Sequence, residues 1–169
     1  MFGDWLASVG SGLHGYVTPK AAVGAIVGND RREILLTKRS DSGLWFYPVG
    51  WADVGYSPSE VAVKEVLEET GIHAEPLAVV SIIDGLRHRL SAIPLYSIVF
   101  SCRAVGGELR AHPLETEGVG WFSRDALPSP LREPGRWVEL AFGAIDAGGE
   151  VVCWFDPPRE PMWRTGGGS

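Results

Sequence analysis

Apolar residues recur along this chain with two periods, and the switches between them set the order of elements. Phe2, Leu6, Val9 and Leu13, with Trp5 beside them, fall at helical spacing and predict a short amphipathic helix over 1–15. Residues 21–27 and 33–37 have strand character. Gly28-Asn29-Asp30 between them suits a tight turn, so the pair predicts a hairpin. Past a loop at 40–43, Leu44-Trp45-Phe46-Tyr47-Pro48 predicts an aromatic strand that stops where Pro48 removes a donor. A glycine-rich stretch at 50–55 then leads into the best-marked element. Ser57-Pro58-Ser59-Glu60 joins a capping box to a proline at the first helical position, and Gly71 supplies a left-handed stop, so a helix runs over 58–70.

Strands follow at 77–83 and 94–104. In the second, Tyr96, Ile98, Phe100 and Cys102 alternate with Ser97, Ser101 and Arg103, which predicts one buried face. A short strand at 119–122, a helical pattern over 136–147 closed by Gly148-Gly149, and a last strand at 151–155 complete the series. Strands, helix, strands and helix joined by hairpin-length links predict an α+β, mixed-sheet sandwich rather than a doubly wound parallel sheet. No G-x-G-x-x-G follows a strand and no G-x-x-x-x-G-K occurs, so dinucleotide and P-loop sites lack their signatures.

The 169 residues, 45% of them hydrophobic, fit one domain over 1–164, with a glycine-rich flexible tail at 165–169. Fifteen Lys and Arg against 21 Asp and Glu leave a formal charge of −6, which argues against nucleic acid as a partner. Cys102 and Cys153 form no CxxC pair, which favours a reducing cytoplasm over a disulfide scaffold. The longest apolar stretch, 21–28, falls far short of the ~20 residues of a membrane helix, and no signal pattern opens the chain. A soluble protein without a membrane partner is expected.

On a wheel of about 100° per residue the 58–70 helix places Ala62, Val63, Val66 and Leu67 on one arc and Glu65, Glu68 and Glu69 on another. Like charges at this spacing cost roughly 0.2–0.5 kcal/mol per pair, and the carbonyl end of a helix disfavours anions. A solvated acidic face is one outcome of such a cluster. A bound divalent cation is the other, because Mg²⁺ takes oxygen ligands and leaves positions for water and phosphate. Gly50 and Gly55 upstream let the backbone approach the acid wall.

Residues 50–72 resemble the Nudix box, G-x5-E-x7-R-E-U-x-E-E-x-G-U with U a bulky aliphatic residue: Gly50, Glu65, Val66, Glu68, Glu69, Gly71 and Ile72 stand in register with it. The stretch Pro48-Val49-Gly50-Trp51-Ala52-Asp53-Val54-Gly55 is similar to the PGGWADVG variant among ADP-ribose-type Nudix hydrolases. The resemblance implies a Nudix-type α/β/α sandwich with a mixed central sheet. It also implies a Mg²⁺-dependent hydrolase, with Mn²⁺ an alternative ion, that cleaves the pyrophosphate of a nucleoside diphosphate linked to another moiety, ADP-ribose-like or a CDP-alcohol. Three positions depart from the pattern. Tyr56 stands at its first glutamate, Lys64 at its arginine, and Val49 at a glycine common before Gly50. These motivate a second expectation, a weakened module that binds nucleotides without turnover.

The resemblance assigns metal binding to Glu65, Glu68, Glu69 and the Gly50 carbonyl, with Glu65 and Glu69 central to catalysis. Relatives draw a general base from a loop ahead of a W-F strand, which here nominates Glu115 and Glu117 before Trp121-Phe122. Lys38, Arg39, Arg87 and His88 are the basic candidates for substrate phosphates or ribose, and Trp51 and Tyr56 the aromatic ones for a base. A small-molecule nucleotide is the expected ligand. The Trp-bearing N-terminal helix offers a contact for a second copy, a homodimer.

Overall fold

A computed structural model describes residues 18–132 and 136–159. The helix predicted over 1–15 and the 165–169 tail lie outside these residues. The described elements are β1 (Lys20–Gly28), β2 (Ile34–Arg39), β3 (Trp45–Phe46), β4 (Val49–Trp51), α1 (Pro58–Thr70), β5 (Ile72–Asp84), β6 (Leu95–Gly107), β7 (Thr116–Phe122), α2 (Arg136–Asp146) and β8 (Trp154–Phe155). They form a mixed sheet ordered β3-β2-β1-β6-β5-β8, with β4 on β1 and β7 on β2. The β1–β6 and β5–β8 pairs are parallel and the other pairs antiparallel.

The strand alternation splits the core into two layers. Val23, Ala25 and Val27 of β1 and Leu35 of β2 face α1, packing on Val61, Ala62 and Val66. Ile26, Ile34 and Leu36 point the other way, onto Ala141, Phe142 and Ala144 of α2. A period of two in the central strands thus supplies both faces of an α/β/α sandwich, the expected class. No helix among the described residues is long and apolar enough to cross a membrane.

Several boundaries differ from expectation for local reasons. The aromatic strand is only Trp45–Phe46, and chain read as glycine-rich loop begins instead with β4, whose Val49, Gly50 and Trp51 pair with Gly24, Val23 and Ala22. The strand expected at 77–83 starts at Ile72. Proline marks an edge position in most sheets, and Pro76 is accommodated beside a register shift while only Ser81 and Ile82 of β5 pair with β8. Likewise β7 opens at Thr116, and the last strand shrinks to two residues.

Helix α1 has the predicted ends. The Ser57 side chain accepts from the Glu60 N–H, the Glu60 carboxylate accepts from the Ser57 N–H, and Gly71 caps with φ 74°. Its buried face, however, is turned from the wheel expectation. Val61, Ala62, Val66, Glu69 and Thr70 are buried, whereas Leu67 is exposed. Glu69 therefore lies on the core face rather than opposite it.

A Cβ at Gly71 would meet the Glu108 carbonyl oxygen in a backbone conformation L side chains avoid. Gly71→Ala is expected to cost about 1–2 kcal/mol in urea unfolding, with Ser57→Ala costing about 1 kcal/mol. Equal stability of Gly71→Ala and wild type would contradict the capping geometry.

Candidate active site

Strand β1 pairs with β2 only at Gly28–Ile34, then diverges, and β4 takes its free edge at Ala22–Gly24. The divergence opens a cleft of about 530 Å³ at the end of α1, bounded by β4, the end of β2 and the segment before β7. That volume is in the range of small-molecule sites.

Glu69 sits on the cleft's inner wall, 4% exposed, and its Oε2 accepts a 3.2 Å hydrogen bond from Thr37 Oγ1. Burial is the main cause that lifts its pKa to about 7, with the Glu65 charge adding and Arg39, Thr37 and the Val49 backbone opposing. Glu65, one helical turn earlier, has a side chain only 13% exposed, and burial raises its pKa against the pull of Lys64. The β4 backbone closes over it: a Cβ at Gly50 would fall directly on the Glu65 carboxylate. Any side chain at position 50 would displace the Glu65 carboxylate, so the glycine there serves that carboxylate rather than a turn. Glu68 lies at the rim, half exposed.

Lys64 stands among the acids. Its Nζ is 3.1 Å from Asp53 Oδ2, 3.1 Å from Glu68 Oε2 and 3.6 Å from Glu65 Oε1, and the Asp53 and Glu68 contacts raise its pKa. Among the described residues no three His, Cys, Asp or Glu side chains are already gathered as a metal-ligand set, and the ammonium occupies the space between Asp53, Glu65 and Glu68. The donors themselves suit a hard divalent ion. They are carboxylates with a strand carbonyl nearby and no thiol or imidazole. Two of the carboxylates are desolvated, which leaves charge that a cation would stabilise.

Cations and an aromatic ring complete the rim. A register shift between Lys38 and Arg39 leaves Glu117 as the extra residue of β7, a bulge of the kind that re-aims side chains. Beyond it Arg39 lines the cleft and donates to both oxygens of Asp41 at 3.1 and 2.8 Å, which holds Asp41 down to about 2. Glu115 and Trp51 also line the cleft, and Trp51 is 51% exposed with Lys20 Nζ 5.1 Å from its ring centre.

Five sequence candidates lie outside that lining. Lys38 and Glu117 pair with each other at 2.8 Å across the bulge. Tyr56 is exposed in the turn before α1. Arg87 donates to the Pro157 carbonyl at 2.8 Å, and His88 Nε2 lies 2.6 Å from Asp156 Oδ1, so both tie the β5–β6 turn to the segment after β8. His88 instead faces a second cavity of about 240 Å³ on the α2 side, walled by Phe46, Tyr47, Trp137 and Trp154. This cavity and the acid cleft share Leu90 and Arg132. Arg132 donates to the Leu90 carbonyl at 2.7 Å.

Three contributors were not singled out from sequence. Thr37 had a signal, a polar residue closing an apolar strand run, and Asp53 stood inside the quoted 48–55 stretch. Arg132 had none, since only the fold brings it to the seam.

A mixed-sheet sandwich whose capped helix turns carboxylates onto a strand glycine is the architecture of the Nudix fold. The chain belongs to that family: the model of the NUDIX domain matches residues 18–142. Among curated relatives, YjhB of Bacillus subtilis strain 168, provisionally named an ADP-ribose pyrophosphatase, is 33% identical over 135 residues, 78% of this chain and 64% of the relative. The chain therefore spans somewhat less than two thirds of that relative's length. Among solved structures, a UDP-X diphosphatase superposes with TM-score 0.72 at 28% identity, covering 91% of this chain and 75% of the other. An ADP-ribose pyrophosphatase from Streptococcus suis 89-1591 gives TM-score 0.69 at 34% identity, covering 82% of this chain and all of the other.

The raised pKa of Glu69 gives a signed pH dependence. The folded state holds its proton more tightly than the unfolded value of 4.5, so this contribution is complete below that value and is lost as pH rises through about 7. The full difference is on the order of 3 kcal/mol. In EDTA, urea unfolding is expected to show falling stability between pH 5 and 8, with the slope reduced in Glu69→Gln. A slope unchanged by that substitution would refute the assignment.

Proposed function

We propose that this chain is a Mg²⁺-dependent hydrolase, with Mn²⁺ able to substitute, acting on the pyrophosphate linkage of a nucleoside diphosphate joined to a second moiety. ADP-ribose is the first compound to test and CDP-alcohols the next. The observation that carries this is the desolvated pair Glu65 and Glu69, folded against Gly50 inside a cleft whose rim also presents Arg39. The named activities of YjhB and of the two solved relatives support the substrate class.

Glu65, Glu68, Glu69 and the Gly50 carbonyl would hold the ion. A divalent ion bound there supplies charge neutralisation for phosphate oxygens and a more acidic water. The residues of this chain do the positioning. Arg39, once exchanged from Asp41, presents a planar fork suited to a phosphate. Glu115 is the base candidate that lines the cleft, and Trp51 offers an exposed ring for stacking. Lys38, Tyr56, Glu117 and Arg87 are given no direct contact, and His88 is placed with the aromatic cavity it lines. The aromatic cavity beyond Arg132 gives the second end of a two-part substrate a place to lie. Both described cysteines are free, in keeping with action in the cytoplasm.

With a panel of nucleotide sugars, CDP-alcohols, dinucleotides and triphosphates, hydrolysis is expected with Mg²⁺ and not with EDTA, and Glu69→Gln should reduce kcat/KM by about 100-fold or more. Binding without turnover of every compound would instead mark a nucleotide-binding module, the outcome that overturns the proposal.

Gly50→Ala tests the geometry separately. Moving the Glu65 carboxylate by about 1 Å should lower turnover roughly 100-fold while the circular dichroism spectrum stays native. Full activity in that variant would show that the contact between position 50 and Glu65 is dispensable.

A further inference from the structure

The cavity on the α2 side is walled by flat rings and already carries cations. Phe46, Tyr47, Trp137 and Trp154 line it, and Trp137 meets the Phe46 and Tyr47 rings edge-on with centres 5.3 and 5.5 Å away. The Arg132 guanidinium lies 5.4 Å from the Phe46 ring centre, and that of Arg136 5.0 Å from the Trp154 centre. A cationic ligand would meet both guanidiniums, and a polyol would leave hydroxyls unpaired against the rings. A volume of about 240 Å³ is below that of a whole small-molecule site and suits one flat, uncharged ring. Leu90 and Arg132 are shared with the acid cleft, so that ring can belong to a molecule whose phosphates lie in the cleft.

One polar side chain on this wall has a fixed hydrogen-bonding character. His88 Nε2 lies 2.6 Å from Asp156 Oδ1, while Asp156 Oδ2 accepts from the Asp84 N–H at 2.7 Å. Arg87 Nη1 stands 3.8 Å from Asp156 Oδ1. A carboxylate beside a guanidinium and a backbone N–H is ionised and only accepts, so Nε2 carries the imidazole proton. In the neutral ring Nδ1 is then an acceptor, and among the described residues nothing hydrogen-bonds to it. The imidazole also meets the Trp154 ring edge-on, with centres 5.7 Å apart, which holds its plane.

We propose that this cavity is a nucleobase pocket in which His88 Nδ1 accepts from a ring amino group, with Asp156 the positioning residue that makes Nδ1 the acceptor. The pocket then selects adenine and cytosine over hypoxanthine and uracil, which carry a carbonyl where the other two carry the amino group. A carbonyl oxygen there would face the Nδ1 lone pair with no proton between them. This rests on the hydrolase proposal only in placing the phosphates of the same molecule in the acid cleft.

The test is an NMR titration of the whole chain with uncharged nucleosides in EDTA at about pH 8.5, which needs neither metal nor turnover. Adenosine is expected to bind at least about tenfold more tightly than inosine, and cytidine than uridine by a similar ratio. Asp156→Asn gives the sharper reading. Its amide oxygen can keep the Asp84 N–H, which turns the NH₂ group toward Nε2 and moves the imidazole proton to Nδ1. The preference should then invert, with inosine and uridine bound more tightly. His88→Ala should bring the members of each pair within about twofold of one another. A general loosening of the pocket would weaken both members of a pair alike and leave the ratio unchanged.

Three results would overturn the proposal: equal binding of amino and oxo nucleosides by the wild type, a wild-type ratio retained in Asp156→Asn, or no binding of any of the four. Hydrolysis is an independent readout. Turnover without an amino preference would remove the pocket assignment alone, whereas amino-selective binding by a chain that hydrolyses no compound would remove the hydrolase proposal alone.

Discussion

Burying a carboxylate costs several kcal/mol unless something stabilises its charge, and helix α1 buries Glu69 fully and Glu65 in part on the side turned to the sheet. Glu69 takes the place in that face where an aliphatic residue would extend the core begun by Val61, Ala62 and Val66. Its environment offers a threonine hydroxyl and a strand backbone, which lessen the cost without neutralising the charge. An upward shift in pKa is the expected response of a group in that position, and a cation would remove the need for it. The surrounding fold is arranged to keep the two carboxylates there.

That arrangement begins with the divergence of β1 and β2. A fully paired hairpin would close the sheet where the cleft lies. Instead β4 fills the free edge of β1 with a three-residue strand whose middle position has no side chain, and Glu65 lies against it. On the other side of the opening a bulge against β7 breaks the alternation just before Arg39, placing a guanidinium on the rim. Divergence, glycine strand and bulge each interrupt regular pairing, and all three interruptions border the cleft.

Regular elements were legible in the sequence because their signals are local. The ends of α1 follow from Ser57, Pro58, Glu60 and Gly71, residues that act within one turn of where they stand. The two-sided core follows from alternation in β1 and β2. The 50–72 motif located the acid cluster because its spacing matches a helix lying against a strand. Its orientation was harder to read. The apolar arc including Leu67 misses the true inward direction, which is set by where the sheet lies and not by the helix alone. Pairing partners across the fold carried no local signal either: Lys38 meets Glu117, His88 meets Asp156 and Arg132 reaches the seam of two cavities through tertiary packing.

The proposed hydrolysis depends on the paired carboxylates of α1 holding a cation in the folded protein. Anomalous diffraction from crystals grown with Mn²⁺ and a non-hydrolysable nucleoside diphosphate tests that most directly. A manganese peak among the oxygens of Glu65, Glu68 and Glu69 beside Gly50 is the predicted result. Ordered nucleotide in the cleft with no anomalous signal there would contradict it.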